Sequence, residues 1–132
     1  MSLRLTVETE RFPIAGTFTI SRGSRTEAVV VTATLTDGTH TGRGECVPYA
    51  RYGETVEGVS ATIMGQASAI AAGMDRLALQ EALPPGAARN ALDCAFWDFE
   101  AKRAGAPVWQ LAGLAEPKPL ITAYTLSLDT PE

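Results

Sequence analysis

A chain of 132 residues and 13.9 kDa fits one ordinary domain and falls well short of the roughly 250 residues of a complete α/β barrel. With 45% hydrophobic and 20% charged residues, it has the composition of a soluble globular protein able to bury a core. Eleven Lys and Arg against fifteen Asp and Glu leave a formal charge of −4 and a pI near 5.0, so no net positive field exists to hold a nucleic-acid backbone. No stretch approaches the roughly 18 apolar residues that would span a bilayer. The start, MSLRLTVETE, lacks the apolar segment of a secretory signal. A cytoplasmic protein with no nucleic-acid or membrane partner is therefore expected. Cys46 and Cys94 are too sparse for a disulfide framework and are expected as buried free thiols. His40, the single histidine, does not complete a structural zinc site with them, and its place in a polar hairpin flank predicts a solvated strand residue.

Leu3, Leu5 and Val7 alternate with Arg4, Thr6 and Glu8, the period-two pattern of a half-buried strand. From Glu27, EAVVVTATLTDGTHTGRGEC reads as a β-branched strand, a tight Asp37-Gly38 turn, and a third strand to about Glu45. Between the first two strands, FPIAGTFTISRGSRT is expected as a connecting loop, longer than a hairpin needs. After the third, CVPYARYGE carries Pro48, Gly53 and two tyrosines and reads as a second ordered loop. Thr55 opens a segment in which Val56, Val59, Ile63 and Ile70 fall at helical spacings, with Gly73 as its stop. A shorter helix is expected from Asp75 to Ala82. Pro84-Pro85-Gly86 then starts the strongest helix, GAARNALDCAFWDFEAKR, with Leu92, Ala95, Phe96 and Phe99 on one face. Gly105 and Pro107 end it, and PVWQLAG reads as a short helical turn seating Val108, Trp109 and Leu111.

Pro117 to Pro119 reads as a linker, LITAYTLSL as a largely apolar strand, and Asp129-Thr130-Pro131-Glu132 as a helix start. A strand followed at once by a helix-initiation signal opens a repeating strand-helix architecture. The expectation is a sequence that stops inside the first such unit, in preference to an unstructured tail. The expected organisation is an α+β domain over residues 1–116, a three-stranded antiparallel sheet followed by a helical bundle, then a linker and first barrel strand over residues 117–132.

Three segments, FTISRGSRTEAVVV, GECVPYARYGE and PGAARNALDCAFWDFEAKRAGAPVWQLAG, together resemble the N-terminal capping domain of the enolase superfamily in its muconate-lactonizing/mandelate-racemase branch. The third segment is similar to the branch's helix signature around Asp93, Ala95, Trp97 and Asp98. The first two, through RGSR and PYARYGE, resemble the subgroup of dipeptide epimerases acting on L-Ala-D/L-Glu. TAYTLSLDTPE matches the first barrel strand of such enzymes. Phe96 and Phe99 stand where the signature more often has aliphatic residues, a departure that affects packing more than chemistry.

The resemblance implies a cap over the mouth of a (β/α)7β barrel, in an enzyme that is a homo-oligomer when complete. It places catalysis in the barrel: a lysine on each side of a dipeptide substrate moves the α-proton, and Mg2+ held by three carboxylates stabilises the enediolate. None of those groups has a counterpart here. Lys102, on the charged side of its helix, and Lys118, in the linker, are expected as solvated surface residues, and Asp93, Asp98 and Glu100 splay around their helix instead of forming a metal cluster.

The cap's own share is recognition and exclusion of water, carried by the two loops. A guanidinium can pair bidentately with the side-chain carboxylate of a substrate glutamate. The resemblance puts Arg25 first in that role and Arg22 second, with Ile20 lining the wall beside them; ordinary solvated arginines are the competing account. In the second loop, Tyr49 and Tyr52 would supply apolar wall and a hydroxyl, with Arg51 as a further carboxylate partner, unless both tyrosines pack under the sheet. Thr125 matches a position where the family's epimerases place a hydroxyl near substrate, or is a strand threonine without a ligand. The same domain could instead cap a muconate cycloisomerase or an o-succinylbenzoate synthase, or act as a non-catalytic binding or assembly module.

Overall fold

The computed structural model describes residues 2–21 and 23–126. The alternation that begins at Leu3 opens strand β1 (Arg4–Ile20). The β-branched run forms the centre of β2 (Gly23–Thr36), and Thr41–Cys46 is β3. They make one antiparallel sheet in the order β1-β2-β3.

The loop expected between the first two strands is instead a paired ribbon, since β1 runs on to Ile20 and β2 begins at Gly23. Pro13 and Gly16 read as breakers, but β1 is an edge strand, where a missing backbone donor is tolerated. The ladder slips between Pro13 and Phe18, and Gly16 there takes a φ of 79°, an irregularity that bends the ribbon without ending it.

At the β2-β3 turn, Gly38 has a φ of 93°. The His40 and Thr39 amides donate to Asp37 Oδ1 at 2.7 and 2.8 Å and hold its carboxyl down at about 2. A depressed carboxyl adds stability that is complete above its unfolded value of about 4 and is lost as pH falls through its folded value. Asp37→Asn is therefore expected to flatten the acid limb of a stability-versus-pH curve between about pH 4 and about pH 2, read by thermal melts followed with circular dichroism.

After β3 a single 3-10 turn, Ala50–Tyr52, leads into the helices. The helix expected from Thr55 to Gly73 is broken at Gly65 into α1 (Val56–Met64) and α2 (Ala67–Ala71), and Gly73 closes it with a φ of 106°. Asp75 accepts from the Ala78 amide at 2.8 Å and caps α3 (Arg76–Ala82). Helix α4 (Ala87–Ala104) ends on left-handed Gly105. It buries Ala91, Leu92, Ala95, Phe96 and Phe99 against the sheet and the smaller helices. Val31, Ala33 and Leu35 of β2 and Val59, Ile63, Ile70 and Leu79 of α1 to α3 complete the core.

Where α4 crosses β3 the contact is backbone to backbone. A Cβ on Gly42 would run into Ala95 O and Phe99 N, and one on Gly44 into Ala91 O and Ala95 N. Glycine at these two alternate, inward-facing positions lets the helix lie directly on the strand.

Two expectations near the C-terminal end differ from what is found. Helix α5 (Val108–Leu111) forms, but Val108 and Leu111 are exposed and only Trp109 is half-buried, because the short helix rests on α4 alone among the larger elements. The strand expected over residues 120–128 is not formed within the described part. Residues 120–126 have no sheet neighbour, and Leu120, Ile121, Tyr124 and Leu126 are almost fully exposed; a strand needs a paired edge. The helix start expected at Asp129 to Glu132 lies outside the described residues.

Candidate functional site

The far end of the β1-β2 ribbon forms a cleft of about 350 Å³, lined by Ile14, Phe18, Ile20, Arg25, Glu27 and, from the loop after β3, Tyr49. Cross-strand register explains most of the grouping. Phe18 lies opposite Arg25 and Ile20 opposite Gly23, with Glu27 two residues from Arg25 along β2, so these side chains share one face of the ribbon; Ile14 joins them from the stretch where the ladder slips. Between these pairs, the Thr19 and Ser24 hydroxyls meet at 2.9 Å across the ribbon, and Ser24 also borders the cleft.

Charge on the cleft face is partly matched. Arg11 Nη1 bonds Glu27 Oε1 at 2.7 Å, which occupies the acid nearest to Arg25 along β2. Arg25 is exposed and, among the described residues, makes no ion pair. Among the described residues, the result is an apolar trough of Ile14, Phe18 and Ile20 with the Arg25 cation at its edge, an arrangement suited to holding a carboxylate at the end of a small molecule.

Of the residues singled out from the sequence, Ile20, Arg25 and Tyr49 are brought together here. Arg22 lies outside the described residues. Arg51 and Tyr52 sit on the 3-10 turn, exposed and off the cleft, although the Tyr49 and Tyr52 rings approach to 5.5 Å. Thr125 is exposed and lines no part of the cleft. Sequence reasoning missed Ile14, Phe18 and Glu27. Their spacing at alternate positions was the available signal, hidden by treating the ribbon as a loop.

The PYARYGE segment is held by its last residue. Glu54 Oε2 accepts from the Tyr49 amide at 2.9 Å and Oε1 from the Ala87 amide at 2.7 Å. The Ala87 amide and then the Tyr49 amide hold the Glu54 carboxyl below the usual carboxylate range.

The other ionisable groups serve structure. Burial disfavours the charged form of Asp98, but the Lys102 ammonium at 2.7 Å and the Arg43 amide at 2.8 Å outweigh it and lower its pKa. Lys102 also donates to Thr41 O at 3.0 Å, so this lysine ties α4 to β3. Glu100 pairs with Arg76 at 3.0 Å, and the Arg76 guanidinium lies 3.4 Å over the Trp97 ring. Asp98 and Glu100 thus have separate partners, Asp93 is half-buried, and Lys118 is exposed.

His40, expected to be solvated, is half-buried and edge-on to Phe99 at 6.5 Å, because the hairpin turn folds over α4. Cys46 is a buried free thiol, pushed up to about 11 by burial first and then by Glu54 and Glu45. Cys94 is not buried as expected. It is exposed, on the side of α4 away from Leu92 and Phe96. Among the described residues no three His, Cys, Asp or Glu side chains converge to hold a metal, and no helix is long and apolar enough to cross a membrane.

Residues 2–113 match the family described as mandelate racemase/muconate lactonizing enzyme, N-terminal domain. The chain belongs to this family. The L-Ala-D/L-Glu epimerase of Escherichia coli (strain K12) is 46% identical over 123 residues, which cover 93% of this domain's chain and 38% of that protein. An enolase family member from Agrobacterium tumefaciens with homology to dipeptide epimerases, solved with sodium and L-Ala-L-Glu, superposes with a TM-score of 0.90 at 56% identity. That match covers 96% of this chain and 39% of the other. The Cytophaga hutchinsonii dipeptide epimerase, complexed with Mg and D-Ala-L-Val, superposes with a TM-score of 0.78 at 27% identity, covering 98% and 38%. The three-stranded sheet with its helices is thus the cap fold of dipeptide epimerase structures, and the chain spans less than two-fifths of the length of these relatives. The described residues offer no ligand set that fits a magnesium ion such as the one in the Cytophaga hutchinsonii structure.

Proposed function

We propose that this domain caps the active site of an isomerase that epimerises the glutamyl α-carbon of L-Ala-D/L-Glu dipeptides by metal-assisted proton abstraction. The metal and the proton-transfer groups belong to a barrel outside this chain. The observation that carries the reading is the Arg25 guanidinium, without an ion pair among the described residues, at the edge of the apolar trough of Phe18 and Ile20, with Tyr49 lining the same cleft. A glutamyl side chain has two methylenes for the trough and a carboxylate for the guanidinium. The E. coli and A. tumefaciens relatives, named or solved with Ala-Glu dipeptides, support the same substrate. Arg22 and Thr125 belong to the proposed substrate surface as well, by the family resemblance of their sequence positions. Tyr52 and Arg51, off the cleft but beside Tyr49 on the 3-10 turn, are proposed to reach the substrate only from outside it.

The cap's contribution is orientation and exclusion of water. Closing the ribbon over the barrel mouth removes solvent from the reacting carbon and holds the distal carboxylate in place. The test uses the protein in which this domain is joined to its barrel, incubated with L-Ala-L-Glu and magnesium in deuterated water and followed by proton NMR. Loss of the glutamyl α-proton signal with appearance of L-Ala-D-Glu is the expected result. A folded, magnesium-loaded protein that leaves the α-proton untouched would refute the reading.

A further inference from the structure

We infer that Glu54 is a positioning residue for the substrate cleft: its carboxylate bridges the Tyr49 turn to the first turn of α4 and thereby fixes the cleft wall that Tyr49 supplies. The inference rests on the proposed function for its substrate readout.

Local bonds give the 49–54 turn its shape and nothing more. Tyr52 N donates to Tyr49 O at 2.9 Å, Gly53 N to Ala50 O at 3.0 Å and Glu54 N to Tyr49 O at 3.4 Å. All three lie inside the turn, so none places it relative to the rest of the domain. Glu54 does so, with one oxygen on the Tyr49 amide and the other on the Ala87 amide.

Ala87 is a firm anchor. It begins an 18-residue helix that lies on β3 through Gly42 and Gly44. The residue before it, Gly86, has no side chain to cap the helix, so a carboxylate from Glu54 fills the place a capping oxygen would occupy, at the end where the helix dipole favours negative charge. The chain of contacts therefore runs from the sheet to α4, through Glu54 to the Tyr49 backbone, and so to the cleft that Tyr49 lines together with Ile20 and Arg25. A plain helix cap would need only one of the two bonds.

The experiment compares wild type, Glu54→Gln, Tyr49→Ala and the double variant in the protein that carries the barrel. Glu54→Gln keeps the side-chain shape but replaces one acceptor oxygen by an amide NH2 that cannot accept from a backbone N–H. Hydrogen-exchange mass spectrometry is expected to show faster exchange in peptides containing Tyr49 and Ala87. The KM for L-Ala-L-Glu is expected to rise about tenfold with kcat within about twofold. In the Tyr49→Ala background, Glu54→Gln is expected to add less than about twofold, since both changes act through one wall. Faster exchange with an unchanged KM, or an equal KM increase with and without Tyr49, overturns the inference. A wild type without epimerase activity refutes the proposed function instead. The clamp is then decided by exchange alone and is refuted if the Tyr49 and Ala87 peptides exchange as in wild type.

Discussion

Replacing Arg25 with alanine in the protein that joins this domain to its barrel is expected, under the proposed function, to lower kcat/KM for L-Ala-L-Glu by about 10- to 100-fold, the equivalent of one charge-assisted hydrogen-bonded pair of about 1.5 to 3 kcal/mol. A dipeptide with a neutral second residue should lose far less, since it has no carboxylate to present. The size of the effect depends on Arg25 being available, and the ribbon explains why it is. Glu27 is two residues along β2 on the same face and would be the natural partner for Arg25, but Arg11 from β1 holds it at 2.7 Å. Arg25→Lys should recover part of the loss at most, because an ammonium keeps the charge but not the planar fork that grips both carboxylate oxygens. Steady-state kinetics with the two dipeptides check this. An equal loss for acidic and neutral substrates would mean that Arg25 supports the ribbon and does not read the glutamate.

Much of the cap was legible because local signals and tertiary packing agree. The Asp37-Gly38 turn, the short helix beginning about Asp75, the Pro84-Pro85-Gly86 break and the Gly105 stop each depend on a few residues and appear where the sequence puts them. The buried face of α4 followed from its 3.6-residue period. The ribbon did not, because Pro13, Gly16 and Gly23 weaken a strand locally while the ladder to β2 decides the outcome. Its cleft was therefore only partly foreseen: Ile20, Arg25 and Tyr49 were singled out, but the face that unites them with Ile14 and Phe18 exists only once the register is known. At the other end, Leu120, Ile121, Tyr124 and Leu126 have the composition of a strand, but pairing is a property of two segments and the described part contains one. Val108 and Leu111 have apolar side chains without a surface to cover them for a similar reason.

The largest stability loss is expected at Gly44, a residue with no side chain to contribute. Gly44→Ala would put a Cβ against Ala91 O, Ala95 N and the Cys94 side chain. The first two are backbone atoms of an 18-residue helix, so no rotamer change relieves the clash. Relief requires α4 to lift from β3, which opens space around Ala91 and Ala95, both fully buried. Overpacking usually costs about 1 to 3 kcal/mol, and an obstacle made of backbone puts this case at about 3 kcal/mol or above. That is a large part of the roughly 5 to 15 kcal/mol that holds a typical domain folded. Arg43→Ala, one residue away on the outward face of the same strand, keeps the backbone amide that donates to Asp98 and is expected to cost about 0.5 kcal/mol or less. Urea unfolding of the two variants beside wild type checks the contrast. Similar midpoints for Gly44→Ala and wild type would mean that α4 has room to move off the strand, and would remove the firm anchor on which the Glu54 clamp and the Tyr49 wall depend.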